Sequence, residues 1–196
     1  RINITSLSLP DGLVTIGGYA FKGCVELGSV IIPASVVTIG EGAFYSCQGM
    51  ASALIRSGVQ TIGKRAFSKC YAMTAVTIPA SVTAIGGFAF QSTAWLDNQT
   101  NSFVVAGDGV LIAYTGSAAG VIIPAGVKTV GYGAFYDNSD LISVAIPAGV
   151  INVDDFAFYY CDNMTSVSFP ASSLARIGAN AFQYCSDLVS AAVPAS

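Results

Sequence analysis

The dipeptide Ala-Phe returns along this chain at a nearly fixed interval. Its Phe falls at Phe21, Phe44, Phe67, Phe90, Phe135, Phe158 and Phe182, in steps of 23, 23, 23, 45, 23 and 24 residues. No other feature constrains the fold as much, because a period of this size means that each repeat is one supersecondary unit whose apolar face must be covered by the next. A second column follows the same frame. Proline lies 12 residues after five of these Phe (Pro33, Pro79, Pro147, Pro170 and Pro194), Arg56 takes that place once, and Pro10 and Pro124 extend the column, so all seven prolines obey one rule. The 24-residue step comes from one extra Ser in PASSLARIG (170–178). The 45-residue step holds two units, one degenerate: Ala113-Tyr114 stands in the Ala-Phe place and Pro124 follows Tyr114 by only 10 residues. Eight rungs are expected.

Within each rung a short β-type run ends at the Pro column: LSL (7–9), VII (30–32), VTI (76–78), VII (121–123), VAI (144–146) and VSF (167–169). Their first and third residues should point inward and the middle one outward. Proline, which has no N–H to give a ladder, closes the strand. The following V-x-x-I-G-x-x-A-F-x-x-C-x-x-L spaces its apolar residues by three and four, which predicts a turn plus one or two helical turns. The expected fold class is therefore an α/β solenoid, one domain over 1–196, with eight strand-and-crossover rungs and an irregular rung at about 95–118. In that rung FVVA and VLIAY flank Gly107-Asp108-Gly109, which predicts a β-hairpin projecting from the solenoid.

A strand and a crossover in about 23 residues match the size of a leucine-rich repeat, roughly 20–29 residues. The unit, written from the residues as A-F-x-x-C-x-x-[LM]-x-S-x-x-[IL]-P-x-x-V-x-x-I-G, resembles the repeat of the BspA-like leucine-rich repeat family over all but about residues 97–112. That resemblance implies secreted or cell-surface proteins used in adhesion and protein contact, and it brings no catalytic residues. The start at Arg1 and the shared repeat phase of the two ends, SLSLP and SAAVP, suggest a piece of a longer protein.

The seven Phe form an expected aromatic spine. Cys24, Cys47, Cys70, Cys161 and Cys185 each fall three residues later, with Thr93 and Asn138 filling the column elsewhere. The position suits an inward-facing ladder that satisfies loop backbone groups. Stacked rungs would bring neighbouring Cys within reach of a disulfide, but an odd count and a column that accepts Asn favour buried free thiols. Metal binding is not expected, since the chain has no His and no paired C-x-x-C. Asp140, Asn163 and Asp187 share a column in consecutive rungs, which reads as a solvated acidic edge, with a weak Ca²⁺ site as the alternative. The lack of His also removes the commonest general base, so no enzyme and no cofactor is expected.

The partner expected is a protein: a host matrix or cell-surface protein, or another copy of the chain. The outward strand face offers Ser29, Ile31, Ser52, Leu54, Thr77 and Ile122, small or apolar and uncharged. Tyr136, Tyr159 and Tyr160 lie next to the Phe column and suit an interface, although a ring lying over a turn is equally a packing device. Residues 1–96 carry six basic and three acidic side chains, and residues 97–196 two and eight. A dipolar axis of this kind motivates end-to-end assembly as a second reading. Nucleic acid is a poor partner for a chain of net charge −3, and no apolar run reaches the ~18 residues that a membrane span needs. Asn3, Asn98 and Asn163 head N-x-T sequons, which matter only in a secretory pathway that glycosylates.

Overall fold

The computed structural model describes residues 4–171 and 173–192. The chain divides into two compact units, unit 1 being Arg1–Thr100 with Ala106–Asp108 and unit 2 being Asn101–Val105 with Gly109–Ser196. Both are β-solenoids, and the chain contains about eight coils at the expected spacing. Unit 1 carries β1 (Thr15–Ile16), β2 (Ser29–Ile32), β3 (Thr38–Ile39), β4 (Ser52–Ile55), β5 (Thr61–Ile62), β6 (Ala75–Thr77), β7 (Ala84–Ile85) and the short helix α1 (Ala94–Asp97). β2-β4-β6 form one sheet and β1-β3-β5-β7 another. Every pair is parallel and in register by one period, as in Thr15↔Thr38↔Thr61 and Ser29↔Ser52↔Ala75.

Unit 2 repeats the plan with β8 (Phe103–Ala106), β9 (Val110–Tyr114), β10 (Gly120–Ile122), β11 (Thr129–Val130), β12 (Ser143–Ala145), β13 (Asn152–Val153), β14 (Ser166–Ser168), β15 (Arg176–Ile177) and β16 (Ser190–Ala192). Its sheets are β10-β12-β14-β16 and β15-β13-β11-β9-β8. The register shifts from Ser143↔Ser166 to Ser166↔Ser190, so the extra residue of PASSLARIG is absorbed between β14 and β15. The expected hairpin forms as β8 and β9 around Gly107-Asp108-Gly109, but it does not project. β9 pairs in parallel with β11 and extends that sheet, with Val104, Val110 and Leu111 buried.

Two expectations are corrected. LSL at 7–9 is not a strand, and the crossovers are not helical: α1 is the only helix among the described residues. The reason lies in the backbone. In the second coil the N–H groups of Ala43, Tyr45 and Cys47 donate three residues back, to Gly40, Gly42 and Phe44 (3.2, 2.9 and 3.2 Å). The alternate N–H groups, of Gly42, Phe44 and Ser46, donate to Lys64, Ala66 and Ser68 of the following coil (2.8, 2.8 and 2.9 Å). Alternation requires a left-handed residue two places before and two after each Phe: Gly42 (φ 56°) and Ser46 (61°), Arg65 (55°) and Lys69 (61°), Phe156 and Tyr160 (both 60°). A left-handed residue at every fourth position ends any right-handed helix. The crossover is therefore a run of tight turns that is itself a hydrogen-bonded ladder, and the fold is a β-solenoid rather than α/β.

The interior follows the columns. In unit 1 the rings of Phe21, Phe44, Phe67 and Phe90 stack at 5.2, 5.2 and 5.4 Å, and Trp95 meets Phe90 edge-on at 5.2 Å. In unit 2 Phe103, Tyr114, Phe135, Phe158 and Phe182 follow one another at 5.0, 5.0, 4.8 and 5.0 Å. Each such pair adds about 0.5–1.5 kcal/mol beyond the area it buries. The Gly of the I-G step is there because the preceding coil passes so close: a Cβ on Gly40 would lie 2.6 Å from the Gly18 nitrogen, and one on Gly63 2.6 Å from that of Glu41.

Candidate binding faces

The long-strand sheets place one residue column in every two outward. On unit 1 the register sets Ser29, Ser52 and Ala75 in one outward row and Ile31, Leu54 and Thr77 in the next. Ile31 is 52% exposed and Leu54 39%. These six residues line one shallow depression. A second, beside β2, is bounded by Thr5–Leu9, Ile31 and Arg56. On unit 2 the equivalent rows run Gly120, Ser143, Ser166, Ser190 and Ile122, Ala145, Ser168. Ile122, at 74% exposure, is the largest apolar side chain of its row. The inward partners, Val30, Ile32, Ala53 and Ile55, are buried, so the alternation that builds the core also fixes which residues face out.

In each unit the crossovers form a ridge that carries tyrosines, and the two ridges differ in chemistry. In unit 1 Lys22 Nζ lies 5.3 Å from the Tyr19 ring centre and 5.5 Å from that of Tyr45, while Lys69 Nζ lies 5.6 Å from Tyr45. The Tyr19 hydroxyl donates to Glu41 Oε1 at 2.6 Å, a bond that holds its phenol above the usual range, and Tyr45 in the same way raises Lys69. In unit 2 the rings pack on one another. Tyr136 stacks on Tyr159 at 5.5 Å, Tyr160 stacks on Tyr184 at 4.6 Å, and Tyr159 stands edge-on to both Tyr160 and Tyr184. Partial removal from water, then the neighbouring Tyr160, raises the Tyr159 phenol.

The cysteine column is a donor ladder. The thiols of Cys47, Cys70, Cys161 and Cys185 donate to the carbonyls of Phe21, Phe44, Phe135 and Phe158 one coil earlier, at 3.1, 3.2, 3.1 and 3.1 Å. All five cysteines are free, and all but Cys185 are buried. The adjacent Cys47 thiol and then burial hold Cys70 protonated, and Cys185 and burial do the same for Cys161. A thiolate nucleophile needs the opposite environment from these two, while the hydrogen bonds from Cys70 and Cys161 lower the partner thiols Cys47 and Cys185. Among the described residues no group of three His, Cys, Asp or Glu could hold a metal ion. In the acidic column Asn163 Nδ2 donates to the Ser139 carbonyl at 2.7 Å.

Several polar contacts were not visible in the residue pattern, among them Tyr19 with Glu41 and the fork of Arg176 onto Asp154 (2.9 Å) and Asp155 (2.5 Å). Their signal is arithmetic: the partners are 21 or 22 residues apart, one period within two residues. No helix among the described residues is long and apolar enough to cross a membrane.

This geometry is that of a leucine-rich repeat solenoid. The sequence model of the BspA type Leucine rich repeat region matches residues 1–103 and 112–196 in six copies, and the chain belongs to that family. Such repeats are packing units that generally support protein contact rather than catalysis. Among solved structures, a leucine-rich repeat protein from Bacteroides ovatus is 24% identical with a TM-score of 0.51, covering 98% of this chain and 49% of its own. This chain thus spans about half the length of that protein. A leucine-rich repeat protein of T. pallidum is 28% identical with a TM-score of 0.50, over 89% of this chain and 82% of that one. A leucine rich cell surface protein of Faecalibacterium prausnitzii is 22% identical over 98% of this chain and 76% of that one, with a TM-score of 0.43. No curated protein matches the sequence.

Proposed function

We propose that this chain is an extracellular or cell-surface adhesion module that holds a partner protein and performs no catalysis. The observation that carries this reading is the long-strand sheet of unit 1: a flat face of Ser29, Ser52, Ala75 and Thr77 on which Ile31 and Leu54 stand exposed side by side. Exposed apolar residues grouped on a face without charge suit contact with another protein. Family membership supports the class of function, and a host matrix or cell-surface protein is the partner it suggests. Ile122 marks the matching place on unit 2. A screen of immobilised matrix proteins tests the reading, with Ile31→Asp and Leu54→Asp beside the parent chain. Binding that the two substitutions abolish supports it; ligands that hold both variants as tightly as the parent would sink it.

A second reading is self-association end to end. It is favoured by the charge split of six basic against three acidic residues in 1–96 and two against eight in 97–196. Light scattering at low and high salt separates the two, since assembly driven by opposite charges must weaken as salt rises. A mass that stays monomeric at every concentration removes this second reading.

A further inference from the structure

The crossover ridge offers a second surface, distinct from the strand face. In unit 1, Lys22 and Tyr45 occupy the column one residue after Phe in successive coils, and Lys69 occupies the column two after. Their contacts are Lys22 on Tyr45 at 5.5 Å and Lys69 on Tyr45 at 5.6 Å. In unit 2 the same two columns hold Tyr136 and Tyr159, then Asp137, Tyr160 and Tyr184. Each cation of the first pattern has become a ring: Tyr136 on Tyr159 at 5.5 Å replaces Lys22 on Tyr45, and Tyr160 beside Tyr136 at 6.4 Å replaces Lys69 on Tyr45.

The substitution changes what the ridge attracts. Aromatic faces carry negative quadrupole density, and a lysine or arginine placed over them is drawn in. Unit 1 supplies such cations from its own chain. Among the described residues of unit 2, no lysine or arginine lies over Tyr159, Tyr160 or Tyr184. Asp137, in the column of Tyr160 one coil earlier, and Asp162, two residues after Tyr160, are exposed and make no ion pair among the described residues. Tyr160 is 38% exposed and Tyr184 49%. The two lie parallel at 4.6 Å, with Tyr159 edge-on behind them, so the rings hold one another in place before anything binds. The raised Tyr159 phenol keeps that ring neutral at physiological pH.

We infer that the Tyr159–Tyr160–Tyr184 ridge of unit 2, edged by Asp137 and Asp162, docks an arginine- or lysine-bearing segment of a partner protein. The guanidinium or ammonium lies on a tyrosine face, as Lys22 and Lys69 already do on the rings of unit 1, and here Asp137 or Asp162 neutralises it. Rungs about 4.8 Å apart repeat this arrangement coil by coil, which suits an extended segment with successive cationic side chains. The inference stands apart from the strand-face reading and survives its failure.

The test uses the full 196-residue chain and a fluorescent octa-arginine peptide, with octa-citrulline as the neutral isostere. Octa-arginine should bind and octa-citrulline should not, with an affinity that falls as salt rises. Tyr160→Leu with Tyr184→Leu should weaken binding about tenfold, whereas Tyr160→Phe with Tyr184→Phe should hold it within about twofold, because the rings remain. Should the Leu pair fail to fold, Tyr160→Lys serves instead. That column accepts lysine at Lys69 with φ 61°, and the variant should lose octa-arginine while still unfolding in one cooperative transition. Ile31→Asp should leave octa-arginine binding unchanged, which separates this surface from the strand face. Equal binding by the parent and the folded Leu or Lys variant overturns the proposal. So does a self-associated chain that octa-arginine disperses into monomers, since a second copy would then be the occupant.

Discussion

The regular coils of unit 1 and the stretch from Thr93 onward solve one interior problem in two ways. In the coil of Phe67 the residue three places on is Cys70, whose thiol donates back one coil to the Phe44 carbonyl, and the crossover continues as alternating turns. Three places after Phe90 stands Thr93. Its hydroxyl donates to Phe90 O of its own coil at 2.8 Å and accepts from Leu96 N at 3.2 Å. A thiol is a weak acceptor and a hydroxyl a good one, so the exchange of one atom type turns the chain from the ladder into the capped helix α1. At Asn138 the same column makes a third choice, with its side-chain oxygen accepting from the Asp140 and Leu141 N–H groups. One column thus decides the local path, while the aromatic column beside it stays in place.

This contrast breaks most sharply at the rings. Phe67→Ala, in a fully buried site stacked on both sides, should lose about 3–5 kcal/mol in guanidinium unfolding. Tyr114→Ala, half-buried between Phe103 and Phe135, should lose less; an equal loss would mean that the degenerate coil is as tightly packed as the regular ones. Next comes Cys70→Ala, which takes the thiol donor from the Phe44 carbonyl and leaves it only the Cys47 N–H, and should cost about 0.5–1.5 kcal/mol. In the unaltered chain a thiol reagent should reach Cys185 first, and all five thiols only after denaturation. Thr93→Cys keeps a donor but removes the side-chain acceptor of Leu96 N, leaving that N–H only the Thr93 carbonyl, so it should cost about 1 kcal/mol, read as a smaller unfolding free energy. A neutral or stabilising result would show that α1 does not depend on the hydroxyl.

The smallest effect has the opposite sign. Asp154 occupies the place that Gly40 and Gly63 fill in regular coils, and burial raises its carboxyl although Arg176 opposes the shift. The folded chain therefore binds that proton more tightly than the unfolded chain. The group's contribution is most favourable below its unfolded value and declines as pH rises through the folded one. Asp154→Asn should raise the unfolding temperature slightly at neutral pH, with the gain vanishing in acid. A lower temperature at neutral pH would show that the ion pair with Arg176 outweighs burial.

The coil period, the stacked rings and the strands before most Pro positions could be read from the residues because they are apolar columns, and burial selects composition directly. The crossover geometry could not. Its left-handed positions include Gly42 and Gly133 but also Phe88, Arg65, Lys69 and Tyr160, residues that give no local sign of a positive φ. Their conformation is imposed by hydrogen bonds to the next coil, so apolar residues spaced by three and four mimicked a helix. The second strand of each coil, Thr-Ile at β3 and β5, is only two residues long and exists through its neighbours. Which side chains face out on the strand sheets followed from alternation. The lysine-capped ridge of unit 1 and the ring-capped ridge of unit 2 rest on contacts between residues a period apart, which no local pattern announces.

The alternating ladder of the crossovers has a consequence for how such a chain can change over generations. Gly42, Phe44 and Ser46 give their N–H groups forward while Gly40 gives its own backward to Ile16, so each regular coil offers its neighbours the same pattern of donors and acceptors. Excising one whole period from the regular part of unit 1 would bring together two edges that already match, and duplicating one would insert a coil whose partners are waiting. Length in this architecture is a quantity that recombination can adjust in steps of 23 residues, leaving each new coil's solvent-facing columns open to mutate toward a different partner.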